Sequence, residues 1–313
     1  MWGEYALRAN ERGWEIAREL AVLLTRGMPT LSGRRTLDVG SGVGGTVIGC
    51  GTFGAEAIGI EPDAERRVLA KANAADHELS VRFVAADLLD PTLLGRIGEF
   101  DAVTAIKVVE HVDDAEAGVQ ALASLTAEGG VVLTDIPNGR SVGAVRADGH
   151  YLLPGLTLIE DRALAARYHQ LSGAPGVYDV TDHHGIDTYV AWFERAGLTV
   201  MDVVHTDVAD PSSLDSGLED ARVAVEGAIA SMDGDSEVGR VLSSELVEYL
   251  NRVDTHRSDQ PWLERHVLTN TWRIVASKGP IQRKSNRRLE ARARRVAKRI
   301  PGLQAWVRRV RSQ

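Results

Sequence analysis

The stretch Thr36-Leu37-Asp38-Val39-Gly40-Ser41-Gly42-Val43-Gly44-Gly45 has the make-up of a strand that ends in a glycine-rich turn and runs into a helix. Glycine at 40, 42 and 44 lets the backbone take φ > 0 and approach a ligand with no Cβ in the way. A helix behind the turn points free N–H groups and the positive end of its dipole at that ligand. Gly40, Gly42 and Gly45 also satisfy G-x-G-x-x-G, and Glu61 follows about twenty residues on, as a dinucleotide fingerprint requires. On its own the turn leaves the ligand open.

The second set of residues able to do chemistry is histidine, whose unperturbed pKa suits proton transfer near neutrality. His111 follows an apolar strand-like run. His183 and His184 stand beside Asp182 ahead of a helical segment, and an Asp-His pair can orient an imidazole as a base. The alternatives are a helix-capping Asp182 with two loop histidines, and a structural or pocket role for His111. His150 and His169 are weaker candidates. Asp182, His183 and His184 could offer metal ligands, but no spacing is a recognised metal signature, so no metal is expected. Cys50, on the helix after the turn, reads as packed, with no base beside it.

The elements that must position these groups alternate. Strands are expected at 35–39, 55–60, 81–85, 100–106 and 131–135, with Glu128-Gly129-Gly130 as a turn. Helical segments are expected at 46–53, 64–78 and 114–126. Mostly apolar strands alternating with helices indicate a doubly wound, mostly parallel α/β sheet, and right-handed crossovers leave few other topologies. From 137 to about 184 the alternation stops around one helical piece, 159–171. A helix at 186–197, a strand at 198–205, two polar helices near 216–231 and 236–254, and a strand at 270–277 follow. The insertions at 137–184 and 206–268 read as a helical cap over the active site. Ahead of the sheet, residues 4–26 carry an apolar stripe that includes Leu7, Trp14, Ile16, Leu20 and Leu24. The unit 1–29 is read as a packed N-terminal helix or a lid, with Tyr5 the residue to watch.

The chain has 313 residues, is 44% hydrophobic and carries a net charge of −8. From Pro280 to Gln313 there are twelve Lys or Arg against one acid, Glu290, so this tail is +11 and the rest is −19. An acidic body repels polyanions, which makes nucleic acid an unexpected substrate. The tail interleaves Leu289, Val296, Ile300, Leu303, Trp306, Val307 and Val310 with arginines, broken at Pro301. A basic amphipathic helix of this kind suits an anionic membrane surface; a solvated tail or a docking segment is the alternative. One cysteine excludes an internal disulfide, and with neither a signal sequence nor an apolar run of roughly 18 residues the expected setting is cytoplasmic, peripheral to the membrane at most.

Leu37 to Gly44 resembles the first motif of class I S-adenosylmethionine-dependent methyltransferases, and later pieces fall in that family's order: Glu61, Asp87, Val108-Val109-Glu110-His111-Val112 and Glu128 to Thr134. The resemblance covers about residues 30–205 and the strand near 270–277, and it implies a seven-stranded Rossmann-like sheet with S-adenosylmethionine as cofactor. Gly40, Ser41, Gly42 and Gly44 would form the cofactor turn, with Asp38 organising it near the cofactor's amino-acid end. Glu61 would accept from both ribose hydroxyls, since two carboxylate oxygens suit a diol. Asp87 would accept from the adenine amine, with the Leu88 backbone alongside; the alternative is a helix N-cap. The Glu110-His111 and Glu128-Gly129-Gly130 pieces demote the dehydrogenase reading. The expectation is methyl transfer to oxygen of a small molecule, sugar or lipid-linked glycan, with His111, His183 or His184 as base; the alternative is a non-catalytic cofactor-binding scaffold tethered by its tail. The oligomeric state is left open.

Overall fold

The computed structural model describes residues 2–25, 30–180, 183–232 and 237–282. The sheet is built from β1 (Arg35–Val39), β2 (Glu56–Ile60), β3 (Arg82–Val84), β4 (Phe100–Ile106), β5 (Thr126–Pro137), β6 (Thr199–Val208) and β7 (Thr269–Ser277). Their spatial order is β3-β2-β1-β4-β5-β7-β6. The first five pair in parallel, and β7 runs antiparallel between β5 and β6. The expected doubly wound, mostly parallel seven-stranded sheet is the one found.

The helices are α1 (Trp2–Leu24), α2 (Gly45–Thr52), α3 (Ala64–Asp76), α4 (Leu93–Ile97), α5 (Ala115–Leu125), α6 (Val142–Arg146), α7 (Arg162–Ser172), α8 (Ile186–Arg195), α9 (Leu214–Ser231), α10 (Glu237–Thr255) and α11 (Gln260–Leu263). Parallel strands need cover on both faces. One face carries α5 and α8, with Val119, Leu122, Tyr189 and Phe193 buried against Val103 and Ile274. The other carries α1 and α2. Ile16, Leu20 and Leu24 repeat every four residues and are fully buried against Val47, Leu133 and Val275. Each such side chain contributes roughly 1.5–3 kcal/mol by burial.

Helix α1 crosses α2 backbone to backbone. A Cβ on Gly13 would lie 2.0 Å from the Gly45 carbonyl oxygen. Asn10 Nδ2 donates to Asn73 Oδ1 (2.9 Å), and Asn73 Nδ2 donates to the Val43 carbonyl (2.8 Å), so α1 is fastened behind the glycine turn. Leu7, expected in the buried stripe, is 56% exposed, and Tyr5 is 53% exposed. The buried part of the stripe begins later because only the second half of α1 lies over the sheet.

The glycines at 129–130 do not end an element. β5 begins at Thr126 and runs through them, with Gly129 at φ +75° opposite a register shift in β4. Glycine supplies a bulge here where a turn was expected. The two insertions share one core. Val145 and Leu158 from the first pack with Leu218, Val225, Leu246 and Val253 from α9 and α10. The first insertion leaves from the carboxyl end of β5, so this cap sits at the sheet edge where α/β folds bind ligands. Asp182 and almost all of the tail, residues 283–313, lie outside the described residues, as do Gly27-Met28-Pro29.

Candidate active site

The turn after β1 holds Gly40 at φ +62°, Gly42 at +51° and Gly44 at +85°. A Cβ at Gly44 would stand 2.7 Å from the Phe83 ring, whereas one at Gly42 would meet nothing within 4 Å, so the backbone there faces open space. Ser41 is buried; its N–H donates to the Ile60 carbonyl (2.9 Å) and its carbonyl accepts from Gly44 N–H (2.8 Å), which pins the turn to β2. Glu61 ends β2 and is only 3% exposed. Its Oε2 accepts from Gly42 N–H (2.8 Å) and its Oε1 from Asp63 N–H (3.0 Å). Each oxygen keeps one lone-pair site for a ligand hydroxyl.

Glu61 opens on a cavity of about 270 Å³ that is also lined by Gly40, Asp87, Leu88, Lys107 and His111. Asp87 Oδ1 accepts from Leu89 N–H (2.8 Å) in a local turn. It does not cap α4, whose N-cap is Thr92, so the helix-cap alternative is set aside. A nucleoside fits these groups: a positive-φ turn free of Cβ, a buried acid with two free lone pairs, and an exposed acid beside an apolar Leu88 wall.

Asp38 lies beneath the turn and does not line the cavity. Thr104 Oγ1 donates to its Oδ1 (2.7 Å). Burial pushes its carboxyl up to about 7, against the hydrogen bonds from Thr104 and Thr46. Because the folded pKa lies above the ordinary 3.8, the stability Asp38 allows is complete below that value and is lost as pH rises through about 7. Asp38→Asn is therefore expected to raise the melting temperature of the ligand-free protein, more at pH 8 than at pH 5, by about 2–4 °C for each kcal/mol relieved. Scanning fluorimetry at the two pH values checks it; an equal shift at both contradicts it.

The histidines come from three places. The turn Val109–His111 after β4 carries His111 and the buried Glu110, whose carboxyl burial pushes up to about 7. The His111 ring lies 4.8 Å from that of His150, edge to face. His150 is presented by a tight loop around Asp148, whose carboxylate accepts from the N–H groups of His150, Tyr151 and Leu153 at 2.7–2.9 Å. His183 follows in the electrostatic neighbourhood of His150, Asp148 and His111; burial pushes its imidazole down to about 4. His150 is lowered too, by burial and then by His111, so both rings are shifted toward the neutral form.

Tyr178 and Asp179 mark the boundary with a second cavity. Asp179 lines the first one, 3.7 Å from His111 Nδ1, while Tyr178 lines the second. The second cavity is about 430 Å³, lies under the cap, and is bordered by Arg140, Thr157, His183, His184, Glu245 and Tyr249. Volumes in this range hold small molecules. His184 forms wall, its ring 4.7 Å from Trp192. His169 is buried against Tyr151, ring centres 4.3 Å apart, and lines neither cavity.

Gly139 controls His183 at close range: a Cβ there would lie 2.5 Å from His183 Cβ and Cγ. Gly139→Ala is expected to displace the imidazole, a shift that the His183 ring signals in NMR spectra of parent and variant report; unmoved signals contradict the contact.

The sequence pairs His183 with Asp182, which lies outside the described residues; in this cluster Asp179 stands beside His111 and Asp148 beside His150. In the sequence His150 is only a weaker candidate, with no sign of what it faces. Glu110, His111 and His150 bring ligand-type atoms within 4.8 Å of one another, a grouping no spacing revealed. Lys107 acts electrostatically on both Glu110 and His150, and its positive charge opposes a cation there. Lys107 itself leaves β4 at φ +56°, a strained conformation of the kind that clusters at functional sites. Cys50 is buried, its thiol pushed up to about 12 by burial, which fits packing rather than reactivity.

Comparison with known proteins agrees with this geometry. The profile of a methyltransferase-domain family matches residues 9–203. The chain is 30% identical over 193 residues to a ubiquinone biosynthesis O-methyltransferase of Rhodopseudomonas palustris (strain BisB18), covering 60% of this chain and 68% of that one. It is 28% identical over 211 residues to the protein so named in Nitrobacter winogradskyi, covering 65% and 72%. Among solved structures, an S-adenosylmethionine dependent methyltransferase from Mesorhizobium loti is similar at a TM-score of 0.47 and 15% identity, covering 80% of this chain and 94% of that one. With its glycine turn, its buried Glu61 and a matching profile over residues 9–203, the chain belongs to the methyltransferase-domain family, as a class I enzyme that uses S-adenosylmethionine.

Proposed function

We propose that the enzyme transfers a methyl group to a hydroxyl oxygen of a small molecule, sugar or lipid-linked glycan seated in the cap cavity. The observation that carries this reading is that His111, which lines the Glu61 cavity, and His183, which borders the cap cavity, are electrostatic neighbours, with the His150 ring 4.8 Å from that of His111. The relatives named as O-methyltransferases support oxygen as the acceptor atom. Glu61 binds the ribose diol, Asp87 and Leu88 the adenine, and the turn at Gly40, Ser41, Gly42 and Gly44 the part between. Asp38 works from beneath: a bound cation favours its ionised form and brings its raised pKa back down.

The cofactor supplies an electrophilic methyl on a sulfonium. The chain aligns the acceptor, excludes water and takes the proton. His183 is our choice of base: its imidazole is neutral at working pH and it borders the acceptor cavity. The Asp148 carboxylate lies 3.9 Å from His150 Nδ1, and the Asp179 carboxylate lies 3.7 Å from His111 Nδ1 at the cofactor side. No described helix is long and apolar enough to cross a membrane. The basic tail supports a peripheral attachment that would bring the enzyme to a membrane-borne acceptor.

The test is incubation with methyl-labelled cofactor and a fractionated small-molecule extract, read by mass spectrometry. Label in an O-methyl ether is expected. Label on nitrogen or carbon, or cofactor binding with no transfer, would overturn the reading and favour the tethered scaffold in the last case.

A further inference from the structure

We infer that the acceptor is a neutral, polyhydroxylated ring, a glycosyl unit, held by Arg140, Thr157, His183, Glu245 and Tyr249. This rests on the proposal that the cap cavity is the acceptor site.

The charges of the cavity cancel. Arg140, Arg162 and Arg252 border it, and so do Glu160, Glu245 and Glu248. Arg140 is already paired: its Nη2 donates to Glu160 Oε1 at 2.9 Å. An anionic acceptor would find its guanidinium neutralised and carboxylates near it, and a cationic one would meet the arginines. Arg140 also acts on Glu245 and on Tyr249, which gathers a donor, an acceptor and a hydroxyl on one wall. A hydroxyl is a neutral group that accepts from a guanidinium and donates to a carboxylate through the same atom.

The buried polar atoms say the same. Tyr249 Oη, Thr157 Oγ1 and His183 Nδ1 are each out of contact with solvent and lack a hydrogen-bond partner among the described residues. Tyr249 is 7% exposed and Thr157 is 5% exposed. Such atoms in a cavity wall are costly unless a ligand satisfies them. A single phenol on an apolar tail offers one hydroxyl for three orphaned positions. A sugar ring offers several at once, and a site built to bond hydroxyls rejects analogues that lack them.

The experiment uses the full chain in two stages. S-adenosylhomocysteine binding is measured first by calorimetry; its absence would sink the cofactor assignment and leave the acceptor question to a different site. With S-adenosylhomocysteine bound, saturation-transfer NMR then probes the methyl glycosides of glucose, mannose, galactose and rhamnose against 3,4-dihydroxybenzoate and 4-hexylcatechol. Binding of at least one glycoside is expected, weakened about tenfold or more by Tyr249→Phe combined with Thr157→Val, with S-adenosylhomocysteine affinity unchanged. Both changes remove a hydroxyl and keep the shape, so folding is preserved. The inference is overturned if no glycoside binds, if a catechol binds in preference, or if the double variant holds the glycoside as tightly as the parent.

Discussion

Glu61→Ala is expected to raise the dissociation constant for S-adenosylhomocysteine about 100-fold, equivalent to roughly 3 kcal/mol. Two losses combine. The ribose loses a carboxylate whose hydrogen bonds are stronger than those of a neutral group. The turn loses the acceptor for Gly42 N–H and Asp63 N–H, which at 2.8 and 3.0 Å tie the glycine backbone to β2. Leaving those donors unmet costs about 1–3 kcal/mol each where water cannot reach them. Glu61→Gln keeps one acceptor oxygen and should lose about tenfold, since one of the two roles survives. Calorimetry on both variants, with the melting temperature as a control for folding, gives the answer. Equal affinity in Glu61→Ala and the parent would mean the ribose lies elsewhere.

His183→Ala is expected to lower kcat by about 10²–10⁴, the usual worth of a positioned base, and to leave S-adenosylhomocysteine affinity within twofold. The pH profile distinguishes a base from a wall residue. Burial holds the His183 imidazole at about 4, below the ordinary 6.5, so the neutral, proton-accepting form persists above about pH 4 and is lost as pH falls through that value. The parent's kcat should therefore stay level between about pH 8 and pH 5.5, where an unperturbed imidazole base would already be protonated. A fall centred near 6.5 would hand the role to a different group. His184→Ala should cost much less, because the His184 ring packs on Trp192 and Tyr189 at the cavity wall.

What the sequence made legible follows local rules. β1 and β4 were expected where they are found, at 35–39 and 100–106: β4 is the mostly apolar run that a strand covered on both faces requires, and β1 is marked by the glycine turn that ends it. Asp38, Glu61, Asp87 and the glycines sit at strand ends, so once the strands are placed their position at the sheet edge follows. The stretch at 128–130 misled because a glycine pair serves a bulge as well as a turn, and only the partner strand decides. The His111, His150 and His183 cluster was half legible. His111 and His183 follow from the sheet edge, but His150 depends on a loop folded around Asp148, and nothing local reports which face that loop presents. The acceptor wall was invisible for the same reason: Arg140 and Thr157 come from the first insertion and Tyr249 from the second, and the two insertions share the cap core.

The most direct test of the account is a crystal structure of the full chain with S-adenosylhomocysteine. The account predicts the ribose hydroxyls on the Glu61 carboxylate, the adenine beside Asp87 and Leu88, and the sulfur turned toward His111 and His150, with open passage into the cap cavity. A sulfur facing away from those histidines, or a ligand seated outside the Glu61 cavity, would contradict it.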